Sequence, residues 1–105
     1  MVEFLTRKEI RCRNVNEQIE KLTASAPAGG RLYVCECSNP GCADAVELTI
    51  GEYEAVRGRP TCFVVKPGHE RREIERIIEE NDRFSIVEKV GGAAVLAAAH
   101  DPRGV

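Results

Sequence analysis

The chain has 105 residues, with 15 Lys and Arg against 17 Asp and Glu for a formal net charge of −2, and is 43% hydrophobic and 30% charged. That length suits one domain with one modest core, and the apolar content is too high for a disordered tail. The charge balance lacks the positive excess that marks nucleic-acid binding, and no apolar run approaches the roughly 20 residues that span a bilayer.

The opening Met1-Val2-Glu3-Phe4-Leu5-Thr6-Arg7-Lys8 has no apolar signal-peptide core, so a cytoplasmic protein is expected. Thr6 with Glu9 spaces a capping box, and Asn14 with Glu17 offers a later start. Behind them Cys12, Val15, Ile19 and Leu22 recur at steps of three and four, the apolar face of a helix over about 7–24. Ala26-Pro27-Ala28-Gly29-Gly30 breaks it and forms a joint over 26–30. Arg31 to Glu36 alternates like a strand, Asn39-Pro40-Gly41 is a turn in which Gly tolerates positive φ, and Val46 to Ile50 is a second strand. Thr49 and Glu52 space another capping box, which opens a short helix through Tyr53 and Val56 to Arg57, stopped by Gly58 and Pro60. Thr61 to Val65 is a third strand, ended by Pro67-Gly68. Residues 70–90 suit either a helix through Ile74, Ile77 and Ile78 followed by a strand or a hairpin turning at Asn81-Asp82, with the hairpin preferred. An Ala-rich helix over about 92–100 stops at Asp101-Pro102. These elements predict a single α+β domain over 1–105, with terminal helices around a small, mostly antiparallel sheet in a core over about 31–90.

Five cysteines, an odd number, are too few for a disulfide scaffold, and clustered thiols in a reducing compartment point to metal or redox chemistry. Three cluster, in Cys35-Glu36-Cys37-Ser38-Asn39-Pro40-Gly41-Cys42. On a strand, residues two apart share a face, so Cys35 and Cys37 present both sulfurs on one side, and the turn swings Cys42 back toward it. A tetrahedral site needs a fourth ligand. His69, after the Pro67-Gly68 bend, is preferred over Cys62, whose alternation with Val64 suits core packing. The expected site is Cys35, Cys37, Cys42 and His69 around one structural Zn2+, although sulfur-rich ligands suit iron as well. A closed set of four ligands favours a structural ion over a catalytic one. Cys12 is read as core and His100 as a C-terminal helix cap. The Arg71, Arg72 and Arg76 stretch, interleaved with Glu, is read as a solvated face. Tyr33 and Tyr53 are too few for a base-stacking platform.

With Arg13-Asn14-Val15-Asn16-Glu17-Gln18-Ile19, Cys35-x-Cys37-x4-Cys42, Glu52-Tyr53-Glu54-Ala55-Val56-Arg57, Phe63-Val64-Val65-Lys66-Pro67-Gly68-His69-Glu70 and Val87-Glu88-Lys89, the chain resembles a family of small, uncharacterised bacterial proteins found mainly among actinobacteria. The resemblance covers most of the chain. It implies that Cys35, Cys37, Cys42 and His69 belong together and that Cys12 and Cys62 do not; it implies no activity. The expected function is a non-enzymatic zinc-binding interaction or regulatory module whose partner is another protein. The alternatives are a zinc–thiolate redox switch, a metalloenzyme with an open site and Glu70 as base, and a zinc module for nucleic acid.

Overall fold

A computed structural model describes residues 2–23 and 29–103. Helix α1 spans Val2–Leu22, so the helix starts expected at Thr6 and Asn14 both lie inside it. Of the joint expected over 26–30, residues 26–28 lie outside the described residues, as does residue 24 of the expected helix. Strands β1 (Gly30–Val34) and β2 (Ala45–Thr49) form a two-stranded antiparallel sheet, and β3 (Cys62–Val65), β4 (Glu75–Glu80) and β5 (Ser85–Lys89) form a second in the order β3-β5-β4, also antiparallel. Helix α2 (Ile50–Arg57) follows β2, and α3 (Gly91–Ala99) closes the chain. The fold is α+β with helices at both ends, as expected, and its strands divide into two small sheets.

Local signals account for most elements. Thr49 Oγ1 accepts from Glu52 N at 3.1 Å while Glu52 Oε1 accepts from Thr49 N at 2.8 Å, the reciprocal cap that opens α2. The hairpin alternative holds for 75–89. Asn81 Oδ1 accepts from the backbone N–H groups of Arg83 and Phe84, fixing the turn through a side chain. The register slips between Ile77 and Glu79, leaving Ile78 as a bulge.

The buried face of α1 differs from the expected one. Val15 is 48% exposed and Leu22 83%, and Cys12 is only half-buried. The helix turns Glu9, Ile10, Arg13, Asn16 and Glu17 inward instead. Buried polar groups require partners, and each of the polar ones has them. Arg13 donates to Pro60 O and Ala97 O, both at 2.9 Å, with its guanidinium 4.6 Å from the Phe63 ring centre. Glu9 and Glu75 both pair with Lys89, and the three side chains have no exposed surface. Glu17 pairs with Arg57 and Arg103. The apolar core lies between the two sheets and α2, with Tyr33, Leu48, Tyr53, Phe63, Val64, Phe84 and Val87 at its centre. Tyr33 and Tyr53 stack on each other at 4.4 Å, which leaves neither ring free as a platform. Among the described residues no helix is long and apolar enough to cross a membrane.

Candidate metal centre

Strand β1 ends at Val34, so Cys35 and Cys37 lie just beyond it rather than within it. The alternation of an extended chain continues all the same. Cys35 N donates to Asp44 O, and Glu36 N to Val64 O, each at 2.8 Å. Residues 35 and 36 thus leave the edge of the first sheet and join the edge of the second. Between the two cysteines Glu36 faces the other way. Its carboxylate, fully buried, accepts from Asn16 Nδ2 and Tyr53 OH at 2.8 Å and from Val64 N at 2.9 Å. Burial pushes this carboxyl up, against the pull of those donors. Asn16 also holds Val34 from α1, accepting from its N at 2.8 Å and donating to its O at 2.9 Å. Asn16 and Glu36 therefore satisfy backbone groups on strand edges and fix the direction in which both sulfurs point.

The next ligand comes from the turn. Cys42 N donates to Asn39 O, and Gly41 N to Asn39 Oδ1, each at 3.0 Å. The turn closes without positive φ at Gly41, contrary to the expected use of that glycine; the Asn39 side chain orders the bend. The Lys66-Pro67-Gly68-His69 turn does use positive φ, at Gly68 (89°), and His69 N donates to Lys66 O at 2.9 Å. Pro at the second position and Gly at the third are the type II pattern, and a Cβ at Gly68 would be strained.

Cys35, Cys37, Cys42 and His69 converge from these two loops, with their ligand atoms all within 4.8 Å of one another. His69 Nδ1 is 3.6 Å from Cys35 Sγ and 3.5 Å from Cys42 Sγ. Its other nitrogen, Nε2, lies 3.8 Å from Asp44 Oδ2. Asp44 thus stands beside the ring nitrogen that does not face the sulfurs, where an outer-sphere partner of a metal-binding histidine is commonly found. Two more contacts reach the sulfurs. Lys66 N donates to Cys35 Sγ at 3.1 Å, and the buried Lys8 ammonium lies 3.8 Å from Cys37 Sγ and 2.9 Å from Cys37 O. A hydrogen bond from the Cys35 thiol is the main reason Cys37 is pulled down to about 4, and the same bond pushes Cys35 up.

The residues set aside in the sequence are not among the four that converge. Cys62 is buried on β3 in the core, burial pushing its thiol up. Cys12 lies half-buried on α1, and His100 is the C-cap residue of α3. Of the basic stretch, Arg76 pairs with Glu88 and Arg72 with Glu70, while Arg71 Nε donates to Ser38 Oγ at 3.2 Å. A polar hollow of about 300 Å³, lined by His69, Glu70, Arg71 and Ser38 among others, opens beside the centre. Sequence reasoning missed Lys8, Asn16, Glu36 and Asp44. For Asn16 the only signal was its helical spacing from Glu9 and Arg13. A cluster of three thiols and one imidazole, within metal-binding distance and half-withdrawn from water, can hold a metal ion. No protein-family model, no curated protein and no solved structure matches the chain.

Proposed function

We propose that the protein is a non-enzymatic cytoplasmic module that binds one structural Zn2+ per chain through Cys35, Cys37, Cys42 and His69, and that it acts through another protein. The observation that carries this reading is the convergence of four ligand atoms from two loops that two different sheets hold in place. A thiolate at ~2.3 Å and an imidazole at ~2.05 Å from one tetrahedral ion stand ~3.6 Å apart, against the 3.6 and 3.5 Å between His69 Nδ1 and two of the sulfurs. Charge supports it as well. Three thiolates and a divalent ion sum to −1, and a buried charge needs a counter-charge. Lys8, buried and with no carboxylate partner among the described residues, lies beside Cys37.

The test is metal content on protein purified without added metal. About one zinc per chain is expected in the wild type and in Cys62→Ala, and substantially less in His69→Ala. Wild-type protein without metal would sink the reading; iron in place of zinc would keep the ligands and change the ion.

Lys8 gives a second check. Lys8→Met removes the counter-charge and keeps the aliphatic stem, so zinc affinity measured by chelator competition is expected to fall by about 10–100-fold, the usual effect of losing an outer-sphere partner. Lys8→Arg should recover part of it. Unchanged affinity in Lys8→Met would show that the ammonium serves only to pack the helix.

A further inference from the structure

We infer that Cys42 is the reactive sulfur of this centre, the position at which a hydroperoxide opens it and releases the metal. The inference rests on the zinc reading above and adds to it an order of reactivity among the three sulfurs. Two independent features set that order, exposure and hydrogen bonding.

Cys35 and Cys37 have no exposed surface, whereas Cys42 is only half-buried and lies next to the His69 ring, itself 27% exposed. A reagent from solvent therefore meets Cys42 first. Donors differ in the same direction. Cys35 Sγ accepts from the Lys66 amide, and Cys37 Sγ has the Lys8 ammonium beside it. Among the described residues no backbone amide and no ammonium donates to Cys42 Sγ; its neighbour is the imidazole of His69. A donor aimed at a metal-bound sulfur draws electron density from it and makes it a poorer nucleophile. Cys42 thus keeps the most electron density and the easiest access.

The chemistry balances without any further reagent. The Cys42 sulfur attacks the terminal oxygen of the hydroperoxide, an S–O bond forms, and the O–O bond breaks. The alkoxide or hydroxide that leaves takes a proton from water. Cys42 is then a sulfenic acid. A neighbouring thiolate, Cys35 or Cys37, attacks that sulfur; the S–S bond forms, the S–O bond breaks, and hydroxide leaves. Two electrons have passed from the pair of sulfurs to the O–O bond. All the ligand atoms lie within 4.8 Å of one another, so the second step needs movement only in the turn that carries Cys42. With two of four ligands consumed, the ion is released.

The experiment uses the full chain as purified with its metal. Hydrogen peroxide is added below one equivalent, released zinc is followed with a chromogenic chelator, and the oxidised cysteines are mapped by peptide mass spectrometry. A parallel sample takes limiting iodoacetamide. The expected result is that Cys42 is modified about tenfold faster than Cys35 or Cys37, with zinc leaving as a disulfide that includes Cys42 appears. In Lys8→Met the share of modification at Cys37 should rise. Zinc-loaded protein in which Cys35 or Cys37 reacts first, in which all three react alike, or in which Cys42 is oxidised and zinc stays bound, overturns this inference and leaves the zinc reading standing. Protein that carries no metal overturns both.

Discussion

If the centre holds zinc as proposed, removing it with a tight chelator is expected to lower the thermal midpoint by tens of degrees and to melt the loop over 35–44 first. A structural zinc in a small domain contributes on the order of 10–16 kcal/mol, as much as the whole stability of a typical domain at about 5–15 kcal/mol. In a chain of this length each kcal/mol corresponds to about 4–8 °C. The effect is concentrated where the centre joins the two sheets. Cys35, Cys37 and Cys42 sit in the link between β1 and β2, and His69 sits in the link between β3 and β4. Besides the ligands, the contacts that join these loops to the rest of the fold include Glu36 on Val64, Asn16 on Val34 and Glu36, Lys8 on Cys37 O and Arg71 on Ser38. Without the ion, three thiols and an imidazole lose the attraction that gathers them. Circular dichroism during heating, with and without chelator, measures the loss, and adding zinc back should restore the original midpoint. An unchanged midpoint would mean that the core and the ion pairs of α1 hold the fold without the centre.

The residues of the centre were legible in the sequence because its logic is short-range. Three cysteines within eight residues around Asn39-Pro40, and a histidine straight after Pro67-Gly68, carry their geometry in their own turns. The cap at Thr49 and Glu52 and the hairpin at Asn81 were legible for the same reason: a side chain two or three residues away completes a backbone group. What was not legible depends on contacts distant in the chain. The division into two sheets follows from the extended residues after Val34, which leave β2 and lean on β3, and no local pattern marks that exchange.

The inward face of α1 was hidden for a different reason. Periodicity is ordinarily counted on apolar residues, and Cys12, Val15, Ile19 and Leu22 satisfy that count. Yet Glu9, Arg13 and Asn16 keep the same helical spacing, and theirs is the face that is buried, because each finds a partner outside the helix: Lys89 for Glu9, Pro60 and Ala97 for Arg13, Val34 and Glu36 for Asn16. A polar residue reads as solvent-facing until its partner is known. Neighbouring positions divide the work, Lys8 reaching the cluster at Cys37 while Glu9 reaches the second sheet at Lys89. Glu75 extends the link: its Oε2 accepts from Arg71 N at 2.7 Å, and the Arg71 side chain reaches Ser38 in the cysteine loop. The helix, the three-stranded sheet and the candidate metal centre are thereby joined through charged groups rather than through apolar packing alone.

That buried link makes stability depend on pH, and the expected result is a loss between pH about 4.5 and 8 of a component of stability that Glu9→Gln does not lose. Glu9 and Glu75 share one cation, Lys89, with all three side chains closed to water and the Phe63 ring 5.1 Å from the ammonium. Two carboxylates against one ammonium would leave an uncompensated negative charge, and Glu9 Oε2 has no partner among the described residues. The proton resolves the imbalance: burial raises Glu9 from 4.5 to about 8, against the pull of Lys89. The sign follows from linkage. Between 4.5 and about 8 the folded chain holds a proton that the unfolded chain has lost, so this contribution is fully present below 4.5 and is lost as pH rises to about 8, by at most ~1.4 kcal/mol per pH unit. Gln in place of Glu9 keeps the shape and removes the titration. Its unfolding free energy from denaturant titrations should exceed that of the wild type at pH 8 and show a flatter slope below it. Lys89→Met acts in the opposite direction. It strips two buried carboxyls of the ammonium they share and is expected to cost about 3–5 kcal/mol, more at pH 8 than at pH 5, where protonation can neutralise one of them. Introducing Glu9→Gln into Lys89→Met should recover part of that loss. A slope unchanged by Glu9→Gln would show that Glu9 is ionised throughout and that Lys89 alone balances both carboxylates.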